Sequence, residues 1–534
     1  MNLLSRLPLH PFLFAAYSVL FVYAANLSEV LLVDMIDPLG RALIVSGGVV
    51  ALCLLLFWGA RRGALVATAV VVAFSFFGHL APELTKLSLD ERGQLTFWGI
   101  VVVAAAVVAV LARGRLASIT LGLNIISLVL VVMTLAAIVP YEAGRAARVA
   151  AGPPPTDVPI AQATRLPDRD IYYLVFDRYG SDWSLEQRYG IDNDLPEWLS
   201  GRGFQVVPGA RANYRATDFS LASTLNMRFL DELTATVGRE SDDRTPARQL
   251  LSRHEVGTFL RANGYQYFHL GAWYSATRSS PIADRVLTEG VDTEFSSVLH
   301  DTSMLPALER LFGEEAGAEP AQEPDNDLGE ESGEQPPPPS LRERHRNIAL
   351  FQFRQLQRLP AAPGRKFVFA HILLPHAPIV FGPAGEVVPE TQEKAGPEAE
   401  VVGGQLTYTN ARIRETVAAL LSGPPETHPI IVIQADEGPF LCGNTDCMDL
   451  EPETLGVRFG ILGAYYLPDM PPGSLPATHS AVNTFRFIFR EYFGADLPAL
   501  PDRSFTWPDN DHLYDFQDIT DLLPLPGSAA GADP

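Results

Sequence analysis
The chain has 534 residues, 40 Lys and Arg against 62 Asp and Glu, and a net charge of −22. That length leaves room for more than one domain. So large an acidic excess argues against nucleic acid as a partner, because a phosphate backbone would be repelled.

Apolar residues crowd the first 140 positions, in stretches at 9–26, 41–59, 63–80, 97–112 and 117–139. Each is near the roughly 20 residues a helix needs to cross a bilayer. The first could instead be a signal peptide cut after Val22-Tyr23-Ala24, but four more spans follow it and favour an anchor. Arg6, then Arg61 and Arg62, then Arg113 and Arg115 fall at alternate ends of the spans. The intervening loops carry Glu29, Asp34, Asp37, Glu83, Asp90 and Glu91, with Arg41, Lys86 and Arg92 in or beside them. This modest Lys/Arg bias places the N-terminus and the arginine-paired loops in the cytoplasm. Five crossings then put everything after Tyr141 outside. Cys53 lies within a span.

Residues 141–168, with Gly152-Pro153-Pro154-Pro155, have the composition of a linker. Beyond it, strand-like and helix-like runs alternate, which predicts a largely parallel sheet covered on both faces. Ile171-Tyr172-Tyr173-Leu174-Val175-Phe176 is a strand that runs into Asp177. Asn213-Tyr214-Arg215-Ala216-Thr217 is a loop entering a helix. Thr217 stands where an N-cap or first-turn residue would be, so a capping role is its plain explanation. The same place offers free N–H groups and a positive dipole to an anion. Asn213 could add a side-chain donor to that anion, or simply shape its loop.

An acidic stretch at 314–340, ending in Pro336-Pro337-Pro338-Pro339, is too poor in apolar residues to offset its ordering entropy and is expected to be disordered. Lys366-Phe367-Val368-Phe369-Ala370 is a second strand, ending at His371, with Pro375-His376-Ala377-Pro378 close behind. Ile413, Val417, Leu420 and Leu421 have helical spacing. Ile430-Ile431-Val432-Ile433-Gln434-Ala435 is a third strand, ending at Asp436-Glu437-Gly438-Pro439. Cys442 and Cys447 follow closely enough to pair in an oxidising compartment. Gly463 to Leu467 is a further strand, and Phe485, Ile488, Phe489 and Tyr492 have helical spacing.

Taken singly, each acid or histidine has an ordinary explanation as a turn former or a packed core residue. Three strands that each deliver one to the carboxyl edge of a sheet predict one shared site. Carboxylates and imidazoles are metal ligands or acid/base groups. A metal there could lower the pKa of the Thr217 hydroxyl and hold it for attack.

The order strand-Asp, Asn-Tyr-x-x-Thr-x-x-Ser-Leu-Ala-Ser, His-x-x-x-Pro-His-x-Pro and an acidic turn resembles the sulfatase-like hydrolases and transferases of the alkaline phosphatase superfamily. The membrane anchor with an outer domain resembles, in layout, the lipoteichoic acid synthases and phosphoethanolamine transferases. The run from Arg458 through Pro468 and Val482-Asn483-Thr484-Phe485-Arg486 is similar to a bacterial membrane branch of that group. The resemblance covers about 168–310 and 341–516. It implies five membrane helices over 1–140, a linker at 141–168, an extracytoplasmic α/β/α sandwich over 169–516 interrupted at 314–340, and a tail at 517–534.

By the same resemblance Thr217 is the nucleophile, and Asp177, Thr217, Asp436 and Glu437 hold a divalent metal. His371, His376 and Asn213 would contact substrate, and the two histidines could reach the metal. The place of Glu437 is commonly histidine in these families. A glutamate favours Mn²⁺ or Mg²⁺ over Zn²⁺, or marks a branch that has lost catalysis. The Cys/Ser-x-Pro-x-Arg motif needed for sulfatase chemistry is missing around Cys53, Cys442 and Cys447. The implied activity is phosphoryl-group transfer or hydrolysis at the bacterial plasma membrane, on a phospholipid or envelope glycan. The alternative is a non-catalytic envelope protein that keeps the fold and binds a glycan or a partner.

Overall fold
The computed structural model describes residues 7–112, 114–151, 163–289, 294–313, 340–440 and 450–524. Cys442, Cys447 and nearly all of the acidic stretch lie outside the described residues. The chain divides into two units: Met1–Ala147 with Asp292–Leu341, and Arg148–Val291 with Arg342–Pro534.

The first unit is helical: α1 His10–Ala25, α2 Leu32–Phe57, α3 Ala60–Lys86, α4 Glu91–Leu111 and α5 Leu116–Ala151. Four of these, α2 to α5, are long and apolar enough to cross a membrane, against the five crossings expected. The exception, α1, has 16 residues. At 1.5 Å per residue it is about 24 Å long, short of the ~30 Å hydrocarbon core. It stops because Asn26 turns the chain. The Asn26 side chain donates to the Val22 carbonyl at 2.8 Å, and its own carbonyl accepts from Glu29 and Val30.

The N-terminus of α5 lies near that of α1. Asn124 Oδ1 accepts from the backbone N–H of Leu9 and His10 at 3.0 and 2.8 Å. Farther along, the Tyr23 hydroxyl donates to Glu142 at 2.8 Å, and Arg145 donates to the Val30 carbonyl at 3.0 Å. Helix α5 runs past Tyr141 into the sequence that has the composition of a linker. Ala143, Arg145, Ala146, Ala147 and Arg148 are strong helix formers and carry it on. Two later helices, Glu294–Thr302 and Leu305–Gly313, belong to this unit as well.

The second unit is built on strands β1 Ile171–Phe176, β2 Gln205–Val206, β3 Gly209–Arg211, β4 Gln266–Leu270, β5 Arg285–Leu287, β6 Lys366–Ile372, β7 Ile430–Gln434, β8 Gly463–Tyr466, β9 Thr478–Ser480, β10 Phe505–Thr506 and β11 Gln517–Asp518. Seven form one sheet in the order β2-β8-β7-β1-β6-β4-β5. The five strands from β7 to β5 are parallel, and β8 and β2 close one edge antiparallel. β1, β6 and β7 are buried at every residue, as strands covered on both faces must be.

Successive side chains of a strand point to opposite faces. Tyr173 of β1 meets Phe485 on helix Asn483–Phe493 edge-on, with ring centroids 5.1 Å apart. Phe176, of opposite parity, stacks on Phe353 of helix Leu341–Arg358. The domain is therefore an α/β/α sandwich. Ile413, Val417 and Leu420 lie on helix Glu398–Leu420 and are buried in its core.

Candidate metal centre
β1, β6 and β7 are neighbours at the middle of the sheet, so their carboxyl ends meet. Val175 stands opposite both His371 and Gln434. β6 runs to Ile372, so His371 is a strand residue rather than the residue after one. Asp177 follows β1 directly, and its N–H donates to the Ile372 carbonyl at 3.0 Å. Arg178 then turns the chain off the sheet edge in the left-handed region, at φ 59°. Its N–H donates to Asp436 Oδ1 at 3.3 Å, which joins the first turn to the third.

Asp177, His371 and Asp436 each bring one ligand atom into a group no more than 4.8 Å across, and all three residues are buried. His371 Nε2 is 3.4 Å from Asp177 Oδ2 and 3.8 Å from Asp436 Oδ2. Asp177 Oδ1, His371 Nε2 and Asp436 Oδ2 have no hydrogen-bond partner. Buried polar atoms are nearly always paired, so an unpartnered atom on each of three clustered side chains fits a cation. The donor set, one imidazole and two carboxylates, suits a divalent ion.

The charges agree. Burial opposes ionisation of Asp177, but His376, His371 and Arg178 outweigh it and hold the carboxyl well below its usual range. Burial, with the charges of Asp177 and Glu437, pushes Asp436 up to about 8. Burial also opposes charge on His371, yet Asp177 and Asp436 raise its pKa above the ordinary value. The site is short of positive charge.

Thr217 is the first residue of helix Thr217–Asn226, and the extended residue Ala216 precedes it. The helix has no side-chain cap. The Thr217 hydroxyl instead lies close enough to the Asp436 carboxyl to favour its charged form. One turn on, Ser220 Oγ donates to the Asp436 carbonyl at 2.7 Å. That bond ties the helix to the acidic turn.

Glu437 does not join the triad. Arg178 Nε holds its Oε1 at 3.1 Å and Arg458 holds its Oε2 at 2.9 Å. Both oxygens are committed to guanidinium groups, which corrects its expected place among the metal ligands. Asn213 is also set apart. Its amide donates to the Arg503 carbonyl and accepts from the Val482 N–H, both at 2.7 Å, so it fastens loops instead of facing a ligand. His376 is half-buried, edge-on to Trp273, and close enough to Asp177 to act on its charge. Burial and then Arg178 lower its pKa to about 4, so it is neutral at pH 7.

Two contributors are new. Thr277 Oγ1 is 2.8 Å from His371 Nδ1. A ligating Nε2 must be bare, which leaves the proton on Nδ1 and makes Thr277 its acceptor. Nothing in the sequence marks Thr277, which ends a single 3₁₀ turn at Ser275–Thr277. Arg178 did carry a signal. It follows one strand-end acid as Glu437 follows the other, with opposite charge.

No family model matches the chain, and no curated protein matches it. Solved structures do. The zinc complex of the C-terminal periplasmic domain of EcEptC from Escherichia coli is 11% identical, over 68% of this chain and 97% of that one, at a TM-score of 0.42. A phosphonate monoester hydrolase of Agrobacterium radiobacter is 12% identical, over 63% and 80%, at 0.38. An alkaline phosphatase superfamily protein from Vibrio parahaemolyticus is 11% identical, over 67% and 78%, at 0.38.

Proposed function
We propose that the α/β/α domain is a metal-dependent phosphoryl-transfer enzyme with Thr217 as its nucleophile. The observation that carries this is the buried triad Asp177–His371–Asp436, with the Thr217 hydroxyl beside its Asp436 carboxyl. A divalent ion held there would supply Lewis acidity to the hydroxyl and to a phosphoryl oxygen. The imidazole in the set favours Mn²⁺ or Zn²⁺ over Mg²⁺, which prefers oxygen ligands alone. The earlier preference for Mn²⁺ or Mg²⁺ rested on Glu437, whose oxygens are held elsewhere.

The chain's own groups divide the remaining work. Asp436 orients the Thr217 hydroxyl by accepting its hydrogen bond. Ser220 fixes the Asp436 turn against the helix that carries Thr217. The first N–H groups of that helix face an incoming anion with partial positive charge. Thr217 Oγ would lose its proton to solvent and form the new bond to phosphorus as the bond to the leaving oxygen breaks, and that oxygen would take up a proton to leave as the alcohol. A second alcohol or water would then take the phosphoryl group from Thr217. His376, neutral at pH 7 and near Asp177, is placed to exchange a proton with the leaving or entering oxygen.

The membrane anchor brings a phospholipid or an envelope glycan within reach as substrate. Arg61 and Arg62 in the first turn of α3, with Arg113 and Arg115 between α4 and α5, favour a cytoplasmic side for those helix ends. The end of α5 is then outside whether or not α1 crosses. We infer that α1 does cross. Its contacts run from Asn124 to Glu142 along α5, about 27 Å of helix rise and close to a hydrocarbon core.

Metal analysis of the purified full chain tests the reading. About one divalent ion per chain is expected, with loss on Asp177→Ala. A wild-type chain that holds no ion when supplied with Mn²⁺ or Zn²⁺ would overturn it.

A further inference from the structure
After β5 the chain of the α/β/α unit leaves for the helical unit, forms helices Glu294–Thr302 and Leu305–Gly313, and later resumes at helix Leu341–Arg358. The two helices make a hairpin. His300 Nε2 lies 3.1 Å from Glu309 and links its arms.

The seat of this hairpin is the helix bundle. Phe295 is buried edge-on against Tyr23 of α1, with centroids 5.9 Å apart. Ala307 is buried beside Phe77 of α3 and Trp98 of α4. Arg310 Nε pairs with Glu91 on the first turn of α4 at 2.9 Å. The Met304 N–H donates to the carbonyl of Phe74, in α3, at 2.8 Å.

Gly78 makes the approach possible. A Cβ there would lie 2.7 Å from the Asp301 carbonyl and 2.8 Å from Thr302 Cα, both backbone atoms that cannot swing aside. Phe74 is inside the apolar run 63–80, about 9 Å of helix rise from its end. The turn of the hairpin therefore lies at hydrocarbon depth or at its boundary. Its outer side keeps Leu305 and Leu311 39% and 38% exposed. Apolar side chains left open beside membrane-length helices have lipid as their natural neighbour.

We propose that residues 294–313 are a re-entrant hairpin, sent back by the chain of the α/β/α unit into the acyl–headgroup boundary, with Leu305 and Leu311 against lipid. Its contacts lie toward the ends of α1 and α3 and the starts of α2 and α4. α5 ends on that side too, as Tyr23 and Arg145 show. The proposal does not depend on the phosphoryl-transfer reading.

Spin labels test it. The full chain, with Cys53, Cys442 and Cys447 replaced by serine, is labelled at Leu305→Cys or Leu311→Cys and placed in phosphatidylcholine–phosphatidylglycerol vesicles. Val103→Cys, exposed on α4, is the lipid control, and Lys394→Cys, exposed on the other unit, is the water control. Labels at 305 and 311 should follow the lipid control, open to oxygen and shielded from a water-soluble nickel chelate. Nickel access equal to that of the water control would overturn the proposal. Adding Gly78→Leu should raise nickel access at 305 and 311 while the label at 103 stays shielded. If access is unchanged, the seat on α3 is wrong.

Discussion
Thr217 carries two roles that substitution can separate. Thr217→Ser keeps a hydroxyl beside Asp436, whereas Thr217→Asn keeps a small polar residue that cannot attack phosphorus. The helix draws no cap from Thr217, so both variants should fold. Turnover of an aryl phosphodiester with Mn²⁺ should persist in part for serine and fall at least about 100-fold for asparagine, the scale of a lost catalytic group. Equal rates in all three would remove Thr217 from the chemistry. Thr277→Val keeps shape but takes away the acceptor at His371 Nδ1. Metal affinity should drop about 10–100-fold with little change in Tm, as measured by metal titration. An unaltered affinity would make Thr277 a packing residue. The acid/base state of the triad adds a pH dependence. Asp436, with its pKa pushed to about 8, holds a proton that an ion must displace. Affinity should therefore rise with pH and level off above about 8, and fall by about tenfold per unit below it. A flat profile from pH 6 to 9 would contradict this. The acids at Asp177 and Asp436 were legible because a strand that ends in a charge announces itself. Thr277 was not, because only the closed fold brings it to His371.

At the scale of elements, the turns after β1 and β7 are joined by Arg178, Glu437 and Arg458. Glu437 is 4% exposed in its side chain, so its loss would leave buried guanidinium groups without a counter-charge. Glu437→Gln should lower unfolding stability by about 3 kcal/mol while metal content stays at wild-type level. Loss of the ion with stability unchanged would restore Glu437 as a ligand. The alternation of strands and helices was plain from periodicity, and β1, β6 and β7 lie within a residue or two of their expected bounds. Asn213 was misplaced because a loop asparagine looks alike whether it faces a ligand or another loop. Helix α5 overran its expected end because apolar content, not helix propensity, set the boundary in the sequence.

For the whole molecule, orientation is the first question. A periplasmic reporter fused after Ala150 should be active and one at Arg61 inactive. A tag at the N-terminus should be shielded from outside protease if α1 crosses, and cut if it does not. The reverse pattern at Ala150 would overturn the proposed outer location of the α/β/α domain. Five apolar stretches were easy to see, but the early stop of α1 comes from Asn26 and lies in no hydropathy average. The hairpin at 294–313 was invisible for another reason. Two nine-residue helices are too short to declare a membrane partner, and only their packing on α1 to α4 does so. The triad's position at the centre of the sheet has a further consequence. Its three residues come from strands far apart in sequence, and an ion would tie the carboxyl ends of those strands together. An ion that binds only the folded form stabilises it by mass action. The half-life of this protein in a cell that secretes proteases should then track how much manganese or zinc its surroundings contain, so that metal scarcity clears the protein rather than merely idling it.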